Sequence, residues 1–305
     1  MIRLGTIVSN QGHHTAGRID ALRPHGFESF EIAFKNTLAG TDLARLADET
    51  AAVLDGTDTV ISCLAFYGNT LADDDHGAEV RAALQDMVAL APRFGTDLVS
   101  CFAGRVTGAS IPESIPRFRE VFAELAEFAE SRGVRLAIEN CLQGGTWQTG
   151  DRNIAHHPAA WELMFGAVPS PALGLEWEPA HQRCQLIDPM PQLRTWAHRI
   201  FHVHGKDAEV RRDVLATHGI HGAQRFAHHR FPGLGDSNWS RIIAELVLAG
   251  YRGTIDIEGG HDPVYRGDLE MTGQLFALRH LRSCRADFAP DPGEGRGGAA
   301  LPDPR

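Results

Sequence analysis

The sequence predicts an α/β fold, a single-domain (β/α)8 barrel, on three observations. Short apolar runs of β type alternate with longer amphipathic stretches about eight times along the chain. Each pair takes roughly 30–35 residues, the size of a βαβ unit, and strands separated by helices imply a parallel sheet. No Gly-x-Gly-x-x-Gly follows the first strand, so an open doubly wound sheet fits less well. The 305 residues suit one barrel of ordinary length.

The strands are read, in order, at IRLGTIV (2–8), FESFEIAF (27–34), DTVISCLAF (58–66), DLVSCFAG (97–104), VRLAIENC (134–141), ALGLEWEP (172–179), RIFHVHGKD (199–207) and GTIDIEGG (253–260). Helices are expected between them. Residues 41–55 and 79–94 have amphipathic patterns. Residues 115–133 repeat an apolar face at spacings of three and four and stop at Gly133. Residues 237–251 offer Ser237 or Asn238 as N-cap and Gly250 as stop. Residues 208–235 carry no such pattern and read as a long loop, a candidate lid or binding loop. The barrel is assigned to residues 1–285. The Pro/Gly-rich tail, 286–305, has little to bury and is expected to be disordered alone, or ordered against a neighbouring subunit.

Composition narrows the function. Hydrophobic residues make up 43% and charged residues 22%, ordinary for a globular enzyme. The net charge of −10 repels phosphate backbones and argues against nucleic acid as the main partner. No apolar run approaches the ~20 residues that span a bilayer, so no membrane partner is expected. MIRLGTIVSN is too short and polar for a signal peptide. Cysteines 63, 101, 141, 184 and 284 form no CxxC pair, which suggests reduced thiols and a cytoplasmic location.

The strand ends carry the chemistry. Side chains two apart in a strand share a face. Glu176 and Glu178, His202 and His204, and Asp256 and Glu258 are such pairs, and Glu139 ends the fifth strand above Ala137. The last member of each lies at the C-terminal end, where barrel enzymes build their sites. Glu139, Glu178, His204 and Glu258 thus converge from four adjacent strands with three negative charges. Without a cation, one or more acids must be protonated. A divalent ion removes the conflict, and an oxygen-rich set with one nitrogen suits Mn²⁺, Mg²⁺ or Co²⁺. Glu176, His202 and Asp256 could orient these ligands from below, and Asn140 from the side.

These motifs, LAIEN, GLEWEPAH, FHVHGKD and GTIDIEG, with HRFPGLGDSNW at 229–239, resemble the xylose-isomerase-like barrel superfamily, the sugar phosphate isomerase/epimerase group. The resemblance covers roughly residues 1–285. It implies that Glu139, Glu178, His204 and Glu258 bind one catalytic ion, Mn²⁺ first, with Mg²⁺, Co²⁺ or Zn²⁺ as alternatives. It implies that His181 faces the substrate or a metal-bound water, and that Arg230 contacts substrate oxygens. It also suggests a homo-oligomer or a partner subunit. Two departures stand out. Glu178 replaces the usual Asp before Pro. His229-Arg230-Phe231 replaces the Asp-Arg-His of related barrels that cut DNA at abasic sites, and Phe231 cannot ligate a metal.

The expected chemistry is metal-assisted proton abstraction beside a carbonyl of a keto-sugar or related polyol. Glu139 and Glu258, by analogy with related epimerases, move the proton, with His181 or Lys206 as alternatives. Lys206 could instead pair with Asp207 or bind a substrate hydroxyl. His202 and Trp177 are further candidates for substrate contact, Trp177 joining Trp147 and Phe66 in an apolar wall for a sugar. Epimerase and isomerase outcomes are expected. A lyase of the inosose dehydratase or 3-keto-C-glycoside type is the alternative, with His218, His221, His228 or His229 as general acid. A non-catalytic sugar-binding barrel stands further off. GGT at 144–146 is too little for a phosphate loop, so a free or oxidised sugar is preferred.

Overall fold

The computed structural model describes residues 1–38 and 40–286, so the tail beyond Ala286 lies outside the described residues. Parallel strands close the barrel: β1 (Arg3–Ser9), β2 (Ser29–Lys35), β3 (Val60–Tyr67), β4 (Leu98–Cys101), β5 (Arg135–Glu139), β6 (Leu173–Trp177), β7 (Ile200–Gly205) and, after an inserted pair, β10 (Thr254–Ile257). Their order around the barrel is β1-β10-β7-β6-β5-β4-β3-β2, with β10 closing the circle between β7 and β1.

Helices α1 (Thr15–Leu22), α2 (Leu43–Leu54), α3 (Asp75–Leu90), α4 (Ile111–Glu130), α5 (Pro158–Ala167), α6 (Pro179–Cys184), α7 (Pro189–Trp196), α9 (Trp239–Leu248) and α10 (Glu270–Cys284) lie between and after the strands. None of the described helices is long and apolar enough to cross a membrane. The main apolar core joins the outward faces of the strands to the helices, with Trp161, Trp177, Trp239, Phe118 and Phe122 fully buried in it.

Helix boundaries follow capping chemistry. Helix α4 starts four residues before the expected Ile115, because Ser110 and Glu113 form a reciprocal capping box. Pro112 sits in its first turn, where main-chain donors have no helical partners, whereas Pro116 lies inside the helix and gives up one main-chain donor. Helix α9 starts where Asn238 caps the Arg241 amide, and left-handed Gly250 follows its end.

The stretch 208–235 departs from the expected loop. Strands β8 (Asp207–Val210) and β9 (Ala227–Arg230) form an antiparallel ribbon enclosing α8 (Arg212–His218). Asp207 anchors its base, accepting hydrogen bonds from the Ala208 and Ser237 amides and from Trp239 Nε1. Gly235 permits that approach, since a Cβ there would lie 2.5 Å from Asp207 Oδ1.

The barrel interior is unusually polar. Such interiors are commonly layered with branched apolar residues. Here the floor contains Ser29, Ser62, Glu31, Glu176, His202 and Asp256, all hydrogen bonded. Gly5 on β1 makes room for it, because a Cβ would lie 2.1 Å from Asp256 Oδ1.

Candidate active site

A cavity of about 650 Å³ opens at the C-terminal end of the barrel strands. Glu139, His181, His204, Lys206, His229 and Glu258 line it, with Tyr67 and Phe102 on one wall. Their ring centroids are 5.0 Å apart.

The lower layer is a closed network. His202 Nδ1 lies 2.8 Å from Glu176 Oε1, and Nε2 lies 2.8 Å from Asp256 Oδ2. Tyr67 donates one bifurcated hydroxyl contact to Glu31 and Glu176, at 2.9 Å each. Ser100 donates to Glu176, and Ser29 and Ser62 donate to Asp256. Burial works against a charged His202, yet Asp256 and Glu176 raise its pKa to about 10. His202 therefore keeps both protons at neutral pH and donates from both nitrogens. Burial also presses Glu176 toward protonation, but His204 and His202 outweigh it and hold the carboxyl below its usual range.

The upper layer is open. His204 Nε2 bonds to Glu31 Oε2 at 2.8 Å and lies 3.1 Å from Glu176 Oε1. Its other nitrogen, Nδ1, faces Glu258 Oε2 at 3.3 Å and Glu139 Oε1 at 3.6 Å without hydrogen-bond geometry. Lys206 Nζ reaches Glu258 Oε1 at 2.7 Å and Glu178 Oε1 at 3.6 Å. Glu178, one residue beyond β6, is held through its main chain. Asn140 accepts from its amide and donates to its carbonyl, at 2.8 and 2.9 Å. Asn153 similarly ties down the carbonyls of Glu139 and Cys141.

Charge crowding shows in the titration. Burial raises both Glu139 and Glu178 to about 7, although His204 offsets part of the first shift and Lys206 part of the second. Burial also presses Glu258 upward, but the Lys206 charge prevails and lowers it well below its usual range. One ammonium does not neutralise three carboxylates. Glu178 Oε1 and Oε2, His204 Nδ1 and Glu258 Oε2 are buried without a hydrogen-bond partner. Such orphans are costly unless a ligand completes them. Glu139, His204 and Glu258 bring ligand atoms within 4.8 Å of one another, as does the set of Glu139, Cys141, Glu178 and His181. The donor set fits a divalent cation.

The structure brings Glu139, Glu178, His181, His204, Lys206 and Glu258 to one mouth. It places five other expected residues elsewhere. Trp177 is fully buried among the apolar core residues, with Nε1 bonded to Gln182, so it cannot stack on a sugar. Phe66 is likewise core, and Trp147 packs edge-on against His157. His202 lies below the cavity with both nitrogens engaged. Arg230 lies outside the cavity lining, because Asp262 and Glu209 hold its guanidinium at 2.9 and 2.5 Å. Of the loop histidines, His229 lines the cavity, its ring 4.8 Å from that of His181, whereas His218 and His221 are exposed. Lys206 does not pair with Asp207, which faces the ribbon base.

Some residues escaped the sequence reading. Glu31 is one, a carboxylate flanked by Phe30 and Ile32 in β2 that raises the same question as Glu176. Cys141 follows Glu139 by two residues, and its Sγ lies 3.0 Å from His181 Nε2.

Comparison with known proteins gives the same frame. The chain shares 26% identity over 145 residues with the uncharacterized protein YfiH of Bacillus subtilis (strain 168). That stretch is 44% of this chain and 43% of YfiH, so the match spans less than half of that relative. Among solved structures, 3-keto-D-glucoside 4-epimerase YcjR from E. coli superposes with a TM-score of 0.69 at 14% identity, covering 93% of this chain and all (100%) of YcjR. An L-ribulose 3-epimerase gives 0.66 at 18% identity, with 93% of each chain covered. The IOLI protein with a binding zinc atom gives 0.64 at 18%, covering 94% of this chain and 97% of that one. These likenesses show a common fold. A family model described as xylose isomerase-like TIM barrel matches residues 19–284, and the chain belongs to that family.

Proposed function

We propose that this barrel is a divalent-metal-dependent sugar epimerase or isomerase, acting by proton transfer at a carbon next to a carbonyl. One observation carries the reading. Three carboxylates and an imidazole, with four buried atoms unsatisfied, surround the floor of a sugar-sized cavity. Glu139, His204 and Glu258, with Glu178 beside them, would hold the ion, with Mn²⁺ the first choice. When bound, the ion polarises the substrate's carbonyl and hydroxyl oxygens and so acidifies the adjacent C–H.

The chain's own residues move the proton. Glu139 and Glu258 extend from β5 and from just beyond β10, with β6 and β7 between them, so they reach the cavity from different walls. One takes the proton and the other returns it. Lys206 at 2.7 Å keeps Glu258 ionised and ready to accept. His181 is buried, and burial holds its pKa well below the usual value, so it meets the substrate as a neutral imidazole. Tyr67 and Phe102 supply the apolar wall.

The test is hydrogen exchange in deuterated water with Mn²⁺, screening free ketoses, inososes and 3-keto-glycosides by mass spectrometry. Metal-dependent deuterium incorporation into one of them, lost in Glu258→Gln, is the expected result. An epimer or isomer then follows as product. Loss of a β-substituent would instead name a lyase. Absence of exchange on every class refutes the proposal.

A further inference from the structure

Each carboxylate at the mouth hangs from a main chain that a polar side chain steadies. Asn153 ties the Glu139 carbonyl, and Asn140 ties both the amide and the carbonyl of Glu178. Glu258 lies just past β10, where its amide donates to the Gly205 carbonyl at 3.2 Å. Its carboxylate is held from one side. Oε1 meets Lys206 Nζ at 2.7 Å and His261 Nε2 at 3.1 Å, while Oε2 has no hydrogen-bond partner. The start of α10 supplies the missing support. Glu270, the first residue of that helix, accepts from the Gly260 amide through Oε2 at 3.0 Å and from Gln274 Nε2 through Oε1 at 3.3 Å. The Thr6 hydroxyl on β1 is shared between Gln274 Oε1 at 2.9 Å and the Ile257 carbonyl at 3.1 Å. Contacts from Ile257 through Thr6, Gln274 and Glu270 to Gly260 thus bracket Glu258 without touching its side chain. Thr6 and Gln274 are buried, and Glu270 and Gln274 border the cavity. The approach is close enough to require glycine between them. A Cβ on Gly259 would overlap Glu270 Oε1 and come within 2.6 Å of Gln274 Nε2.

We propose that Glu270 is a positioning residue for Glu258. With Gln274 and Thr6 it fixes the main chain on both sides of Glu258, so that the carboxylate stays aimed at His204 and Lys206. The inference rests on the metal-dependent reading above and names residues that act through Glu258. A ligand arm already set in place loses less freedom when an ion binds, so its support raises affinity. Both oxygens of Glu270 face N–H donors, which is why an acceptor is needed there. A glutamine could still serve. Its oxygen would face the Gly260 amide, and Gln274 could turn its own amide over to accept from the new NH₂, leaving the Thr6 hydroxyl to the Ile257 carbonyl. An alanine keeps none of this.

The test uses the full-length protein, stripped by a chelator and titrated with Mn²⁺ by calorimetry, with amide exchange measured on the metal-free samples. Glu270→Ala is expected to bind Mn²⁺ about tenfold more weakly, the low end for a lost support of a metal ligand. The Gly260 amide should exchange faster in the same variant. Glu270→Gln should restore both affinity and protection. Should Glu270→Ala fail to fold, Gly259→Ala takes its place, because its methyl forces Glu270 away from Gly260, and the same losses are expected. Mn²⁺ binding by wild type that Glu270→Ala leaves unchanged overturns this inference alone. Weaker binding without faster exchange at Gly260 does the same. Glu270→Gln as weak as Glu270→Ala marks an effect of charge in place of positioning, and also overturns it. A wild-type protein that takes up no Mn²⁺ overturns the proposed function, and this inference with it.

Discussion

Within the barrel, the lower polar layer leaves no side-chain atom of Glu31, Glu176, His202 or Asp256 without a partner, while a step higher Glu178, His204 and Glu258 each keep buried atoms unpaired. The residue types are the same in both. Completion separates them. A network that satisfies itself fixes geometry, as when Glu31 engages His204 Nε2 and turns Nδ1 to the cavity. A network that does not is shaped for something else. Deep residues should therefore govern stability, and mouth residues should govern turnover.

The largest expected effect breaks function at the mouth. Glu258→Gln should lower turnover by about 10⁴-fold, the upper range for a lost proton-transfer group, with an unchanged circular dichroism spectrum. Retained activity would remove Glu258 from the mechanism. Next, Glu176→Ala should destabilise the protein by about 3–5 kcal/mol in urea unfolding, since it strands buried His202. Glu178→Gln in metal-stripped protein should cost less than about 1 kcal/mol, or stabilise, because it removes an uncompensated charge. Equal losses in the two variants would erase the distinction between the layers.

Titration sharpens the contrast. The His202 pKa is raised in the folded state, so its stabilising contribution is complete below the unfolded value of ~6.5 and is lost as pH rises through about 10. Unfolding free energy of metal-stripped protein should fall across that window, and His202→Gln should flatten the slope. Saturating Mn²⁺ at about 100 times its Kd should add about 2.7 kcal/mol in thermal or urea unfolding, and Glu258→Gln should cut that gain. The smallest effect belongs to the rim. Arg230→Gln should cost under about 1 kcal/mol and show mainly as faster amide exchange across Ala227–Arg230.

Much of this was legible in the chain. All eight barrel strands follow from apolar runs, and the convergence of Glu139, Glu178, His204 and Glu258 follows from their positions at strand ends. The misreadings have specific causes. Trp177 alternates with Glu176 and Glu178, so a strict count of faces already turns it away from the cavity. The ribbon at 207–230 is held by Asp207, Asp236 and main-chain pairing rather than by apolar periodicity, which leaves no pattern to read. Arg230 looked available because Asp262, its partner, is distant in sequence. Glu31 was hidden by its apolar neighbours.

The last strand has a further role in assembly. Strand β10 seals the barrel between β1 and β7, and the residues just past it deliver both Glu258 to the cavity and Asp262 to Arg230. Closure of the cylinder, delivery of Glu258 to the cavity and latching of the ribbon thus all depend on one late segment of the chain. A nascent chain halted before residue 254 has neither Glu258 at the cavity nor the latch.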